Sequence, residues 1–388
     1  MTELNNELVF SIDEYRTRVK NVQTAMAEKE LDALLCHTLA NINYLTGFES
    51  IAINKYWMVL IPSNGNPILL SQDFESHNAK IGSWLDDIVT YPIGSDYIKR
   101  TKDLLTSKGL HKKRLGVELN NISSLSAADY LRLRASLNQA TLIDATSLVP
   151  KIMSIKTQAE IEYLRQAGRI SSAGMQAAID AAAEGKTDNE LAAAAYLTMI
   201  KSGSEYMCIQ PIVTVGSRSG IPHSTHKRIK LKKGDVILLE MGACIFRYSS
   251  PIMRTVVIGT PSDSVKQVAE ACIASVNILA DNMKPGVVAS ELAHMAKDVL
   301  RHLPKHLLWH GCYCYSIGPG FPPTWEDYAE IAVKEHNDKT ILKLGMVFHT
   351  STSIRDIGNF GTTCSETIVV TENGCEVLTN VPRKLFIR

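Results

Sequence analysis

The residues most capable of chemistry by type alone are eight cysteines, which lack the density of a disulfide framework. Cys312 and Cys314 are separated by one residue, not by the two of a zinc knuckle, and they have no partner pair. Cys208, Cys244 and Cys364 fall on predicted strands, where buried thiols are commonly inert. We therefore expect reduced thiols in a cytoplasmic protein, without a metal or a catalytic role at these positions.

Charge and hydropathy exclude two further kinds of function. The net charge is +1 and the basic residues form only short clusters such as 112–114, so nothing predicts binding to nucleic acid or to a membrane. No run of about 18 apolar residues is present, and the polar residues 1–6 do not resemble a secretory signal. A chain of 388 residues, 45% hydrophobic and 21% charged, suits two globular domains.

The first half of the chain alternates strand-like and helix-like segments, which predicts a small α/β domain over 1–152. Ser11 and Glu14 form a capping-box pattern at the start of a helix predicted over 11–30. Asn64-Gly65 predicts a turn between two strands of a hairpin. Further predictions are strands at 57–61, 67–71 and 115–119, a loop at 43–47 and a helix near Ser126.

The second half, 153–388, begins with two helices that carry capping boxes. Thr157 and Glu160 start a helix predicted to run to about residue 183, and Thr187 and Glu190 start the next one. Strands are then predicted at 207–215, 235–243, 247–258, 346–353 and 367–371, with helices at 261–283 and 289–303. This mixture of helices and strands indicates an α+β domain.

A short internal repeat supports a second domain of two similar halves. Gly185 with residues 190–192 recurs as Gly286 with residues 291–293, in both cases as Gly followed by Glu-Leu-Ala. Each copy is predicted as a helix, a glycine turn and a second helix followed by strands. Such a domain offers a ligand site between the sheets of its halves.

Several motifs of the second half resemble the creatinase/prolidase family. Residues 155–162 are similar to the entry helix of that family, and 234–243 with 248–255 to its first metal-bearing hairpin. Residues 345–348 and 371–376 are similar to its last strands. The resemblance implies an α+β pita-bread domain preceded by a smaller α/β creatinase-type domain, and it implies a homodimer.

The resemblance also implies where metal ligands would lie. Metallopeptidases of this family bind two divalent ions through two Asp, one His and two Glu. Proline has no ligand atom, and neutral hydroxyl groups are poor ligands for such ions. The equivalent residues here are Glu240, Pro251, Tyr315, Ser351 and Ser365. A single carboxylate among these positions predicts a site without metal or cofactor, and no peptidase activity of the prolidase kind.

Other motifs resemble a metal-independent branch of the family, the ectoine hydrolases. They are Pro322-Pro323-x-Trp325, Phe348-His349 and parts of the tail 371–386. This resemblance implies a hydrolase that acts on a C–N bond of ectoine, a small cyclic amidine that bears a carboxylate. Ring opening yields N-acetylated diaminobutyrate.

Within that resemblance Glu240 and His223 are the candidate catalytic residues. A carboxylate that faces the amidinium attracts it and either attacks the amidine carbon or activates water. His223 lies where the metal-free creatinases carry their active-site histidine, which makes it the candidate proton shuttle. Candidates for contact with the small-molecule substrate are Tyr315, Trp325, His349, Tyr248, Arg254 and Glu366.

Two segments, 48–54 and 351–355, depart from the ectoine hydrolase pattern and leave other substrates open. One alternative is a creatinase-like amidinohydrolase or another small-molecule C–N hydrolase. A second is a pita-bread binding module that has lost catalysis, against which the retention of Glu240 with His223 argues. Both residues also have a structural interpretation, as a strand carboxylate paired with an arginine and as a histidine that orders a loop.

Overall fold

The computed structural model describes residues 7–119, 125–309, 311–327, 332–334 and 340–388. The chain divides into two compact units, Met1–Met153 and Ser154–Arg388. The elements of the first unit are α1 Ile12–Glu28, β1 Ala33–Cys36, α2 Leu39–Thr46, β2 Met58–Pro62, β3 Ile68–Gln72, α3 Ser76–Gly82, β4 Ile88–Tyr91, α4 Tyr97–Ser107, β5 Arg114–Val117, α5 Ala127–Ser136, β6 Thr141–Asp144 and α6 Leu148–Met153.

The first unit is built on a six-stranded mixed sheet in the order β4-β3-β2-β1-β5-β6. β2 and β3 pair antiparallel with Met58 opposite Leu70, which confirms the predicted hairpin. β1 pairs antiparallel with β2 and parallel with β5, as expected where helices connect some of the strands. Leu35, Leu60 and Leu115 are fully buried between this sheet and its helices. The unit is therefore an α/β domain with its own hydrophobic core.

One prediction for this unit is wrong, because residues 43–47 are mostly helical. α2 ends at Thr46, and Gly47 stops it with a left-handed backbone at φ +84°. Ile42 and Leu45 are fully buried, and the helix packs against α1 and α6. Burial of seven of the eight residues of this helix outweighs the weak intrinsic helix propensity of Asn, Tyr and Thr in this segment.

The second unit is built around a ten-stranded sheet whose main path is β15-β14-β13-β10-β9-β8-β7. β11 and β12 pair with β10, and β16 pairs with β9. The elements are α7 Gln158–Ala181, α8 Asp188–Lys201, β7 Ile212–Val215, β8 Val236–Ile245, β9 Tyr248–Val257, α9 Asp263–Asn282, α10 Ala289–Asp298, β10 Cys312–Phe321, β11 Thr324–Glu326, β12 Ala332–Lys334, β13 Val347–Asp356, β14 Phe360–Thr371, β15 Gly374–Val377 and β16 Phe386–Ile387.

The internal repeat is confirmed by matching hydrogen bonds in the two halves. The N–H of Gly185 donates to Leu231 O, and that of Gly286 donates to Leu342 O. Both glycines have a left-handed backbone, with φ of +88° and +87°, which ends one helix and turns the chain into the next. Both capping boxes predicted for this unit, at Thr157 and Thr187, are present. Each half thus places a helix pair against its own part of the sheet.

The two faces of this sheet differ in character because side chains alternate along each strand. Leu239 on β8 and Ile252 on β9 pack into a core with α7 and α8. Phe348 on β13 belongs to a core with α9 and α10. Residues at the intervening positions therefore point to the opposite face, which we call the polar face. It carries Glu240, Met253, His349, Ser351, Arg355 and Ser365.

Candidate active site

The carboxylate of Glu240 is the central feature of the polar face. Glu240 lies in β8 between Ile212 of β7 and Met253 of β9, and it is the one residue of β8 that is partly exposed. Within the described parts of the chain no group donates a hydrogen bond to its carboxylate. Burial raises the pKa of Glu240 to about 7, against the lowering effect of Arg355. A carboxylate that titrates near neutrality suits general base catalysis.

Arg355 supplies positive charge on the same face. It is partly exposed at the end of β13, opposite Gly361 of β14, and its Nη1 donates to Ser219 O over 2.6 Å. No carboxylate of the described residues lies within 4.0 Å of this guanidinium. The charge of Arg355 nevertheless lowers the pKa of Glu240, so the two groups are near each other without forming an ion pair. Sequence reasoning missed this residue as a functional candidate.

Three of the predicted substrate contacts form one hydrogen-bonded chain. Trp325 Nε1 donates to Tyr315 Oη over 2.9 Å, and Tyr315 Oη is 2.6 Å from His349 Nδ1. His349 Nε2 is in turn 2.7 Å from Ser365 Oγ. Tyr315 and His349 are directly opposite in β10 and β13, so their side chains share a face. The chain therefore forms a rigid wall of the site.

The protonation of this wall follows from its geometry. The Trp325 indole is only a donor, so Tyr315 Oη accepts from it and its own proton is directed to His349 Nδ1. His349 then carries its proton on Nε2 and donates to Ser365. Burial lowers the pKa of His349 to about 3, so the imidazole is neutral. Burial and the nearby charge of Glu240 raise the pKa of the Tyr315 phenol. The wall beside Glu240 is thus uncharged.

The other predicted substrate contacts lie on the opposite face. Arg254 is directly across from Leu239, and therefore points to the helices rather than to the polar face. Its Nη2 donates to Glu366 Oε1 over 2.6 Å, and its Nη1 donates to Ser365 O over 2.6 Å. Tyr248 donates to Glu160 Oε1 over 2.9 Å. These buried partners favour structural roles for Arg254, Glu366 and Tyr248 over contact with a substrate.

His223 is exposed and lies on a loop that follows the short 3₁₀ turn Gly216–Gly220. Its backbone is left-handed, at φ +52°, which is uncommon for a non-glycine residue. No hydrogen bond joins it to Glu240 or to another described residue. Its assignment as the proton shuttle therefore stays a prediction.

The side chains on the polar face do not fit the two-metal centre of the metallopeptidases that the sequence resembles. Pro251 has no ligand atom, and the hydroxyl of Ser365 is bound to His349. Across the described ranges, no three His, Cys, Asp or Glu side chains are grouped so that they could hold a metal ion.

Comparison with known proteins decides the family. The sequence profile of the Creatinase/Prolidase N-terminal domain matches residues 18–153, and that of Metallopeptidase family M24 matches residues 162–372, more than half of the chain. The chain belongs to metallopeptidase family M24. Among M24 relatives it is 28% identical to the ectoine hydrolase of Halomonas elongata, over 98% of this chain and 99% of that one.

Peptidases of the M24 family are similarly related. The chain is 28% identical to the Xaa-Pro dipeptidase of Pyrococcus furiosus, over 96% of this chain and 100% of that one. The crystal structure of the X-Pro aminopeptidase from Thermotoga maritima matches with a TM-score of 0.81 and 26% identity, over 95% and 99% of the two chains. The predicted pita-bread fold with a creatinase-type N-terminal domain is confirmed, as is membership of a family of hydrolases.

The length and hydropathy of the helices determine whether any of them could cross a membrane. Within the ranges that the structure describes, no helix is both long enough and apolar enough to cross a bilayer.

Proposed function

We propose that this M24 protein is a metal-independent hydrolase that opens a small cyclic amidine, with ectoine as the first candidate substrate. The observation that carries the proposal is the Glu240 carboxylate, which accepts no hydrogen bond from the described residues, with Arg355 nearby and a neutral wall formed by Tyr315 and His349. An amidinium is attracted by the carboxylate, and a substrate carboxylate is attracted by the guanidinium. A divalent ion in the same place would repel the amidinium. The similarity to an ectoine hydrolase over nearly the whole chain supports the same substrate class.

The reaction consumes one water molecule. In the water route Glu240 takes a proton from water as the water oxygen bonds to the amidine carbon. The ring C–N bond then breaks, and Glu240 returns the proton to the departing nitrogen, which leaves an amide and an amine. In the covalent route the carboxylate oxygen bonds to the amidine carbon, and the ring C–N bond breaks as a proton passes from the remaining nitrogen to the departing one, which leaves as the amine. Water then adds to the same carbon, and the bond between this carbon and Glu240 breaks to give the amide and the free carboxyl group, whose proton passes to the amine. Both routes require ionised Glu240.

The proposal is tested by incubating the purified, EDTA-treated protein with ectoine and following ring opening by proton NMR. We expect turnover that is unchanged by EDTA and by added Mn²⁺, because no three His, Cys, Asp or Glu side chains of the described residues are grouped to hold such an ion. Turnover that EDTA abolishes and Mn²⁺ restores would contradict metal independence. No turnover of ectoine would exclude this substrate, and creatine and other guanidino carboxylates would then be tried on the same sample.

The pH dependence of turnover follows from Glu240. Burial raises its pKa to about 7, so the carboxyl is protonated below that pH and ionised above it. We expect kcat/KM to rise with pH through about 7, measured in buffers from about pH 5 to about pH 9. The same shift stabilises the fold at low pH, and this contribution is lost as the pH rises through 7. A kcat/KM that is constant over this range would argue against Glu240 as the base.

Arg355 is expected to determine affinity for the substrate carboxylate. Arg355→Met should raise KM by about tenfold to a hundredfold, because a charge-assisted hydrogen bond is lost. It should also move the rise of kcat/KM to higher pH, since Arg355 lowers the pKa of Glu240. Arg355→Lys should restore part of both effects. An unchanged KM with an unchanged pH profile would remove Arg355 from the site.

A further inference from the structure

Cys208 and Cys244 form a buried pair of thiols in the second unit that the proposed hydrolysis does not use. Cys208 lies in the loop between α8 and β7, not in a strand as predicted, and Cys244 lies in β8 directly opposite Ser249 of β9. The N–H of Cys244 donates to Ser204 Oγ over 3.0 Å, which holds the loop against β8. The two thiols are hydrogen-bonded to each other and are 3% and 0% exposed. The fold thus brings two sulfur atoms from different elements into contact.

A buried guanidinium lies against the sulfur of Cys208. Arg247 Nη2 donates to Cys208 Sγ over 3.4 Å, and the hydroxyl of Ser249 is also 3.4 Å from this sulfur. A guanidinium only donates, so the sulfur must accept. Arg247 is fully buried, and its ion pair with Glu205 is long, at 4.0 Å. A buried positive charge is stabilised by an anion in contact with it, and the Cys208 sulfur is in a position to be that anion.

The two thiols of the pair differ in acidity. The hydrogen bond from Cys244 lowers the pKa of Cys208 against the effect of burial, and the charge of Arg247 lowers it further. Burial raises the pKa of Cys244, and the hydrogen bond to Cys208 raises it too. Cys208 is therefore the thiolate of the pair, which is the nucleophilic form of cysteine, and Cys244 is the thiol. Cys272 on α9 is a contrasting case, because burial raises its pKa to about 12.

The sulfur of Cys208 also lies beside the hydrogen-bonded wall of the candidate active site. A Cβ atom placed on Gly320 would be 3.0 Å from Cys208 Sγ and 2.8 Å from Trp325 Cα, so these three residues pack closely. Arg247 Nε donates to Gly320 O over 3.1 Å, and the N–H of Gly320 donates to Arg247 O over 2.9 Å. Trp325 in turn donates to Tyr315. A change at this sulfur therefore reaches the wall through Gly320 and Trp325.

We propose that Cys208 and Cys244 are a redox-sensitive pair that hydrogen peroxide converts to a disulfide, and that formation of this bond displaces Trp325 and the wall that it supports. The proposal does not depend on hydrolysis at Glu240 or on the identity of the substrate.

The oxidation takes place in two steps. The Cys208 thiolate attacks one oxygen of hydrogen peroxide, so that an S–O bond forms, the O–O bond breaks and hydroxide leaves. The sulfur loses two electrons and the peroxide gains them. The sulfur of Cys244 then attacks the sulfenic acid, the S–S bond forms, and the S–O bond breaks as the hydroxyl group leaves with the thiol proton as water. Hydrogen peroxide is small and uncharged, and local opening of the loop that carries Cys208 admits it to the buried sulfur.

The disulfide changes the surroundings of Gly320 in two ways. The two sulfur atoms approach to about 2.05 Å, which shifts Cys208 within its close packing. The charge of the thiolate is lost, so Arg247 loses an anionic partner while it still donates to Gly320 O. Both changes act on the residue that packs against Trp325.

The test treats the reduced full-length protein with hydrogen peroxide and maps its disulfides by mass spectrometry of peptides. We expect a bond between Cys208 and Cys244, seen as the loss of two hydrogen atoms and reversed by dithiothreitol, while Cys272 stays reduced. In protein labelled with ¹⁵N-tryptophan, the indole resonance of Trp325 is assigned with Trp325→Phe. This resonance should shift on oxidation and return on reduction.

Two variants separate the roles of the thiols. Cys244→Ser should stop the reaction at a sulfenic acid on Cys208, which dimedone traps. Cys208→Ser should leave Cys244 unreacted, because that thiol keeps its proton. Cys272→Ser is the matched control, since it removes a buried thiol that is bonded to Thr362, and it should leave formation of the disulfide unchanged. Circular dichroism shows whether each variant is folded.

The outcomes that would contradict the proposal are distinct. If peroxide leaves Cys208 and Cys244 as free thiols in the unsubstituted protein, or oxidises Cys272 as fast as Cys208, the pair is not redox-sensitive. A disulfide that forms without a shift of the Trp325 resonance would overturn the coupling to the wall. Turnover of ectoine is measured in a separate assay, so a protein that does not hydrolyse ectoine still gives a clear result here.

Discussion

Glu240→Gln is expected to lower turnover of the cyclic amidine by about 10³-fold while leaving the fold intact, as for loss of a general base. Glutamine has nearly the shape of glutamate but neither its charge nor its capacity to accept a proton. The carboxylate receives no hydrogen bond from the described residues, so the substitution removes no structural contact. Removing a desolvated charge should leave the thermal midpoint equal or slightly higher. Turnover by proton NMR and unfolding by circular dichroism measure the two effects.

The matched control for this substitution is Glu372→Gln, in the exposed turn between β14 and β15. It removes the same charge from the same unit and should change neither turnover nor stability. If Glu240→Gln keeps the activity of the control, the carboxylate has no role in the reaction. The alternative of a binding module would then become the better interpretation of the polar face.

Local signals in the sequence predicted part of the fold, whereas α3, α4, α6, β4, β6 and β10 were not predicted. Thr157 and Thr187 predicted the starts of their helices correctly, because a capping box is a contact between residues three apart in the sequence. Asn64-Gly65 predicted the hairpin correctly, because a tight turn also depends on neighbouring residues. α2 was missed because its stability comes from burial of Ile42 and Leu45, which is a tertiary contact. These three predictions succeeded because the stabilising interaction was local, and α2 was missed because its stabilising contacts are not.

The site was predicted less completely, because strand register determines which side chains meet. Glu240 and His349 were named from motifs, and the structure places both on the polar face. Arg254 and Glu366 were named in the same way, yet their positions in β9 and β14 turn them to the helices. A shift of the strand register by one residue moves each side chain to the other face of the sheet. The motifs in the sequence do not indicate this register.

Arg355 is a candidate site residue that the sequence analysis did not identify. It belongs to the segment 351–355, which departs from the ectoine hydrolase pattern and therefore carried no role by resemblance. Its nearness to Glu240 arises because β13 and β8 belong to one sheet, although they are distant in sequence. Arg355 thus lies near the proposed carboxylate, and the carboxylate of the proposed substrate is the part of the ligand that Arg355 is expected to select.

Arg254→Met is expected to destabilise the second unit by about 3–5 kcal/mol, the usual cost of removing one partner of a buried ion pair. Arg254 and Glu366 are almost fully buried, with side-chain exposures of 1% and 2%. Without the guanidinium, Glu366 and the carbonyl oxygens of Ser365 and Pro382 lose their donor. Arg383 is 3.5 Å from Glu366 but is partly exposed, and it replaces only part of the lost interaction. Urea unfolding followed by circular dichroism measures the loss.

The double variant Arg254→Met with Glu366→Gln separates a structural pair from a substrate contact. Burial already raises the pKa of Glu366, so a neutral glutamine is better tolerated there than an unpaired carboxylate. The double variant should therefore be more stable than Arg254→Met alone, with a coupling of about 1–3 kcal/mol. A substrate contact would behave differently, because Arg254→Met would then raise KM with little change in the free energy of unfolding. That outcome would support Arg254 as a substrate contact. The side chain would then have to reach the polar face, although the register of β9 directs it toward the helices.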